Sequence, residues 1–191
     1  STEVGGALVD RCQVELPVSR VEHDALGGVD GDRVGVRHRV RDRDELDLEN
    51  LADIRPWFKR AKPDVVINCA AYTAVDAAES EPTKAHLINA LAVEELAGSA
   101  RDFESRFVTF STDYVFDGSK QSPYVEDDSP GPASVYGSTK LKGEDLALAV
   151  YSETLIIRTY WVLSGTHDNF ASTMLQLLNR DGAKVVDDQI G

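Results

Sequence analysis

From about residue 62 onward the chain alternates short apolar runs with segments of helical period, and this constrains the fold more than any other feature. "KPDVVINCAAYT" holds a nearly unbroken apolar run from Val65 to Cys69, entered through a Pro-Asp turn. A strand buried on both faces of a parallel sheet has this composition. "EPTKAHLINALAVEELAGSA" follows, with Leu87, Leu91, Ala92 and Leu96 at helical spacing. "SRFVTFSTDYVFDG" is a second strand running into a polar loop, and "ASVYGSTKLKGEDLALAVY" is a helix with Ser134 as its N-cap. "ETLIIRT" is a third strand. A helix through "HDNFASTMLQLLNRDG", with Phe170, Met174, Leu177 and Leu178 on one side, and a fourth strand beginning in "AKVVDD" are expected next. Strands alternating with helices imply an α/β domain with a parallel sheet and right-handed crossovers.

Residues 1 to about 46 are different: periodicity is weak and charges are interspersed throughout. "RVGVRHRV", alternating Val34, Val36, His38 and Val40, reads as one strand. "LENLADIRPWFKRA" reads as a helix in which Pro56 lies near the start or marks a kink. The Pro- and Gly-rich segment "DGSKQSPYVEDDSPGP" is a surface loop, placed after a strand and before a helix where a lid would sit.

Composition narrows the function classes. At 191 residues the chain suits one domain with a real core. A net charge of −13 argues against nucleic acid or an anionic membrane surface as partner, since both reward Lys and Arg clusters. A phosphorylated ligand stays compatible, because backbone N–H groups and one or two basic side chains suffice locally. Cys12 and Cys69 are far apart, and His23, His38, His86 and His167 fall in no ligand pattern. No metal site is therefore expected, and the thiols fit a reducing cytoplasm. No apolar run approaches 18 residues.

In an open parallel sheet, ligands bind beyond the carboxyl ends of the strands. Those ends are Ala70 to Thr73, Ser111 to Gly118 and Arg158 to Gly165. Ala70 and Ala71 would let a ligand approach the backbone, or would merely tighten a strand–helix junction. Ser111, Thr112 and Asp113 offer hydroxyls and a carboxylate, or simply form a turn. Tyr136 and Lys140 lie one helical turn apart, which suits a proton-delivery pair and equally suits two polar residues on a solvated face. Three such strand ends together with that pair favour a site.

"NCAAYTAVDAAESEP", "STDYVFDG", "VYGSTKLKGE" and "RTYWV", in this order and spacing, resemble the dTDP-4-dehydrorhamnose reductases, extended short-chain dehydrogenase/reductases. The likeness runs from about Leu46 to Gly191. It implies a Rossmann-like, doubly wound parallel sheet and reduction of a nucleotide-linked 4-keto sugar by NADPH or NADH. It also implies site roles. Tyr136 is the general acid, and Lys140 lowers its pKa and holds the nicotinamide ribose. Thr112 bonds the reacting oxygen, Asp113 touches the sugar, and Trp161 packs on the substrate. Ala70, Ala71, Tyr72 and Thr73 line the cofactor, Asp47 and Leu48 lie against the adenine, and Asn89 either braces the active-site helix or is bonded locally. A homodimer is compatible with the resemblance.

The match fails at the ends. "TEVGGALV" resembles the end of the family's glycine-rich turn, with Gly5 as its last glycine and Thr2 in place of the middle one. The first strand is missing from the pattern, the segment from about Cys12 to Arg43 departs from it, and "VVDDQIG" stops where the family continues into a substrate-binding portion. The expectation is one incomplete dinucleotide-binding domain over 1–191, with inner strands lacking a ladder partner and with neither strong cofactor binding nor activity unless the N-terminal segment fills the gap. The alternative roles are a non-catalytic regulatory subunit resembling that of methionine adenosyltransferase and a sugar-nucleotide epimerase or dehydratase.

Overall fold

The computed structural model describes residues 14–18, 37–41, 45–160 and residue 176. Among the described residues, five strands form one sheet in the order β2-β1-β3-β4-β5, where β1 is Val14–Val18, β2 Arg37–Arg41, β3 Val65–Asn68, β4 Arg106–Thr112 and β5 Leu155–Thr159. The three strands foreseen as parallel are parallel: β4 pairs with β3 from Val65↔Arg106 to Asn68↔Thr109, and with β5 from Val108↔Leu155 to Thr112↔Thr159. The domain is α/β, as the alternation predicts.

The other edge of β3 is a surprise. β1 pairs there antiparallel, with Val14↔Asn68 and Glu15↔Ile67 in register, and pairs antiparallel with β2 on its far side. The divergent segment thus supplies a ladder partner for β3, in the opposite direction from the parallel strand that the family pattern implies. The strand expected in "RVGVRHRV" is observed over Arg37–Arg41, and residues 33–36 of that stretch lie outside the described residues. The glycine turn at Gly5, the helix through Phe170 to Leu178 and the strand in "AKVVDD" fall outside the described residues, except that Gln176 is helical.

Strand alternation puts Val66, Asn68, Phe107, Thr109 and Ser111 on one face, and all are buried. Helices cover that face. Helix α1 (Leu51–Ala61) turns Ile54, Trp57 and Phe58 inward at i, i+3 and i+4 spacing. Pro56 sits inside this helix rather than at its start, on the exposed side, where it forfeits one backbone bond. Phe58 meets Trp57 edge-on at 5.1 Å and stacks with Phe103 at 6.0 Å. Val93, Leu96, Ala97 and Ala100 of helix α4 (Ala92–Asp102) complete this core.

Between β3 and β4 the chain forms α2 (Val75–Ser80), α3 (Pro82–His86), a π-turn at Leu87–Leu91, and α4. In the π-turn the Ala92 N–H reaches back to the Leu87 carbonyl, one residue further than in an α-helix. Helix α5 (Val135–Val150) is capped as expected, the Ser134 hydroxyl accepting from the Gly137 N–H at 3.0 Å. Its buried positions are Gly137, Thr139, Lys140, Gly143, Glu144 and Ala147, which is small and polar rather than apolar. Close backbone approach explains two of them. A Cβ on Gly137 would stand 2.2 Å from the Tyr114 carbonyl oxygen, and one on Gly143 2.1 Å from the Asn89 carbonyl oxygen.

Candidate active site

The site is built where β3 and β4 end beneath the start of α5. At β3, Asn68 closes the strand: its amide donates to the Thr109 hydroxyl at 3.1 Å and its carbonyl accepts from the Ala70 N–H at 3.0 Å. The following loop is held by Asn89, which is 1% exposed. Asn89 accepts from the Tyr72 N–H at 2.8 Å, donates to the Tyr72 carbonyl at 3.1 Å, and donates to the Thr139 hydroxyl of α5 at 3.2 Å. Of the two readings of Asn89, the brace to the active-site helix is the observed one. The π-turn aims the side chain, and no residue pattern announces that turn.

Ala70 is buried, Ala71 half-buried and Thr73 exposed along this loop. The Tyr72 ring turns inward against Ala78, Ala85 and Ile88, with Val135 and Tyr136 at the border. Its hydroxyl donates to Glu81 at 2.5 Å, and this bond, with burial and the Glu81 charge, pushes the phenol up to about 12. Leu48 packs into the core with Ile54 and Trp57, and the Asp47 carboxylate accepts from the Glu49 N–H at 3.0 Å. Gly5 and Trp161 lie outside the described residues.

At the end of β4 the Thr112 hydroxyl donates to Asp113 at 3.0 Å and accepts from the Tyr114 N–H at 3.2 Å, closing a 3₁₀ turn over Asp113–Val115. Burial raises the Asp113 carboxyl against these hydrogen bonds. Tyr114 meets Tyr136 edge-on at 5.6 Å. Tyr136 is largely enclosed: burial pushes its phenol up, while the Thr112 side chain beside it pulls the other way. Lys140 is 6% exposed, and its Nζ donates to the Phe110 carbonyl of β4 at 2.6 Å. The Tyr136 shift is therefore upward, opposite to the lowering by Lys140 that the resemblance implies. Thr112, Tyr136 and Lys140 lie at one strand end, with Thr112 and Lys140 buried and Tyr136 half-buried.

Two carboxylates escaped sequence reasoning. Glu79 of α2 accepts from the Val135 N–H at 2.8 Å, capping α5 from a second direction, and Glu144, itself buried, meets the half-buried Arg158 of β5 in an ion pair. A charge inside the apolar run "LIIRT" was the available signal for Arg158. The loop after β4 folds on itself: Tyr124 stacks on Phe116 at 4.2 Å and donates to Asp117 at 2.8 Å, and Lys120 pairs with Asp128. Among the described residues there is no group of metal-ligating side chains, and no helix is long and apolar enough to cross a membrane.

The residues present suit the nicotinamide end of a dinucleotide. Ala70 and Ala71 carry nothing beyond Cβ after β3, and Lys140 and Tyr136 supply a cation and a hydroxyl from the first turns of α5. Comparison with known proteins agrees. The family described as the RmlD substrate binding domain matches residues 30–191. The dTDP-4-dehydrorhamnose reductase of Burkholderia thailandensis is 46% identical over 150 residues, covering 78% of this chain and 50% of that protein. The reductase of Escherichia coli K12 is 43% identical over 146 residues, covering 76% and 49%. Among solved structures, the reductase of Clostridium acetobutylicum superposes with TM-score 0.70 at 42% identity, over 73% of this chain and 49% of that one. The reductase of Bacillus anthracis, solved in complex with NADP, gives TM-score 0.70 at 34% identity, over 73% and 50%. A UDP-Glc/GlcNAc 4-epimerase from Campylobacter jejuni, at 23% identity and TM-score 0.55, shares the fold. The chain spans about half the length of the curated relatives it matches. By its motifs, its sheet and this family match, the chain belongs to the dTDP-4-dehydrorhamnose reductase family.

Proposed function

We propose that this chain carries the catalytic core of an NADPH- or NADH-dependent reductase. Its substrate is the C4 keto group of a nucleotide-linked deoxy sugar, dTDP-4-dehydrorhamnose, and its product is dTDP-rhamnose for cell-surface polysaccharide synthesis. One observation carries the reading: Tyr136 is enclosed beside Thr112, on the helix face that also bears Lys140. A reduced nicotinamide bound at the β3 end supplies the hydride. Tyr136 gives its proton to the C4 oxygen as that oxygen gains charge, and takes one back from solvent afterwards. A tyrosine phenol already holds its proton at neutral pH, and burial raises it further, so the acid is loaded before reaction. The same burial makes the phenolate costly, and the Lys140 ammonium one turn along offsets that cost. Thr112 orients the keto oxygen, and Asp113 holds a sugar hydroxyl.

The test uses dTDP-4-dehydrorhamnose and NADPH deuterated at its transferring hydrogen. One NADPH oxidised per sugar, with deuterium at C4, is expected. Sugar turnover without net NADPH oxidation would instead assign the epimerase or dehydratase chemistry.

A further inference from the structure

Arg158 touches both halves of the constellation, although it lies on neither. Its Nε donates to both Glu144 oxygens, at 3.0 and 3.2 Å, and its Nη2 donates to Oε2 at 2.6 Å. Glu144 is 5% exposed and stands one turn beyond Lys140 and two beyond Tyr136 on α5. The same guanidinium lies 5.0 Å over the Phe116 ring. Phe116 follows the 3₁₀ turn directly, and its N–H donates to the Asp113 carbonyl at 2.9 Å. Strand β5 places Arg158 in register with Ser111, the residue before Thr112.

We propose that Arg158 is a positioning residue, locking the helix that bears Tyr136 and Lys140 to the turn that bears Thr112 and Asp113. The proposal rests on the reductase reading for its kinetic consequence, though not for its geometry. A planar fork is required, because one group must bond a carboxylate along its edge while presenting a face to an aromatic ring. Lysine keeps the charge and can do neither together. Stability alone gives a weaker reason for this partly buried pair, since an exposed ion pair contributes little and a buried one replaced by apolar residues of similar volume often leaves stability unchanged or higher.

The experiment compares wild type, Arg158→Lys, Glu144→Gln and the double variant Arg158→Met/Glu144→Leu. Each is paired with its Tyr136→Phe counterpart, so that ultraviolet difference titration isolates the Tyr136 phenol. In Arg158→Lys, kcat should fall roughly 10- to 100-fold with KM for the keto sugar within about twofold, because misplacement by about 1 Å costs that much. The Tyr136 midpoint should move down toward that of free tyrosine as water reaches a loosened phenol. Glu144→Gln keeps the shape of the side chain and should show the same direction with a smaller size. The double variant should melt at or above wild type and still lose kcat. An unmoved Tyr136 midpoint in both Arg158→Lys and Glu144→Gln overturns the proposal whatever the turnover, as does full kcat in a stable double variant. A wild type that oxidises no NADPH with the keto sugar sinks the reductase reading, and the titration alone then decides the role of Arg158.

Discussion

The two edges of β3 differ in kind. Toward β4 it pairs in parallel over four register positions, from Val65 to Asn68; toward β1 it pairs antiparallel over two, Asn68 and Ile67. A parallel neighbour demands a long crossover, and each crossover leaves a strand end beside a helix. That is where Asn89, Thr112, Tyr136 and Lys140 are found. The antiparallel neighbour demands no such crossover and contributes its backbone hydrogen bonds. The lesson is a division of labour: the parallel side carries the candidate site and the core together, whereas the β1 side completes the ladder of β3.

That division can be broken or sharpened. The largest effect is expected in the helical layer: Phe58→Ala removes a ring packed between Trp57 and Phe103 and should cost about 3–5 kcal/mol in urea unfolding. Asn89→Leu should cost about 2–3 kcal/mol by leaving both Tyr72 backbone groups buried and unpaired, and should also weaken dinucleotide binding in a fluorescence titration. Glu15→Pro interrupts β1 at its pairing with Ile67 and should cost about 1–2 kcal/mol, with kcat unchanged. A loss as large as that of Phe58→Ala, or a collapse of dinucleotide binding, would show that β1 does more than complete the ladder of β3.

The smallest effect is confined to high pH. The Tyr72 phenol holds its proton up to about 12 when folded, against 10.0 for an ordinary tyrosine. A folded pKa above the unfolded one gives stability that is complete below about pH 10 and disappears as pH rises toward 12. Wild type should therefore lose urea resistance across that window, and Tyr72→Phe should lose less of it. Tyr114 and Tyr136 shift in the same direction and leave a residual slope.

Strands β3, β4 and β5 were legible because apolar runs bounded by turn residues are local signals, and the Ser134 cap was legible for the same reason. The buried face of α5 was not. Gly137, Lys140, Gly143 and Glu144 carry no apolar stripe, because the helix is held by backbone approach, a lysine–carbonyl bond and an ion pair. The aim of Asn89 depends on a π-turn, and the pairing of β1 depends on register with a strand about fifty residues away. Neither is written in a local pattern. Motif spacing brought Thr112, Tyr136 and Lys140 forward, and Arg158 stood out only as a charge in an apolar run, while Glu79 and Glu144 became visible only through their partners.

The most direct measurement is NADPH oxidation with dTDP-4-dehydrorhamnose by wild type and Tyr136→Phe, alongside dinucleotide affinity for both. Loss of the buried phenol should lower kcat by about 10²- to 10⁴-fold while the dinucleotide Kd stays within about twofold. Turnover within a few-fold of wild type in Tyr136→Phe would contradict the assignment of the proton to this side chain, and with it the active site described.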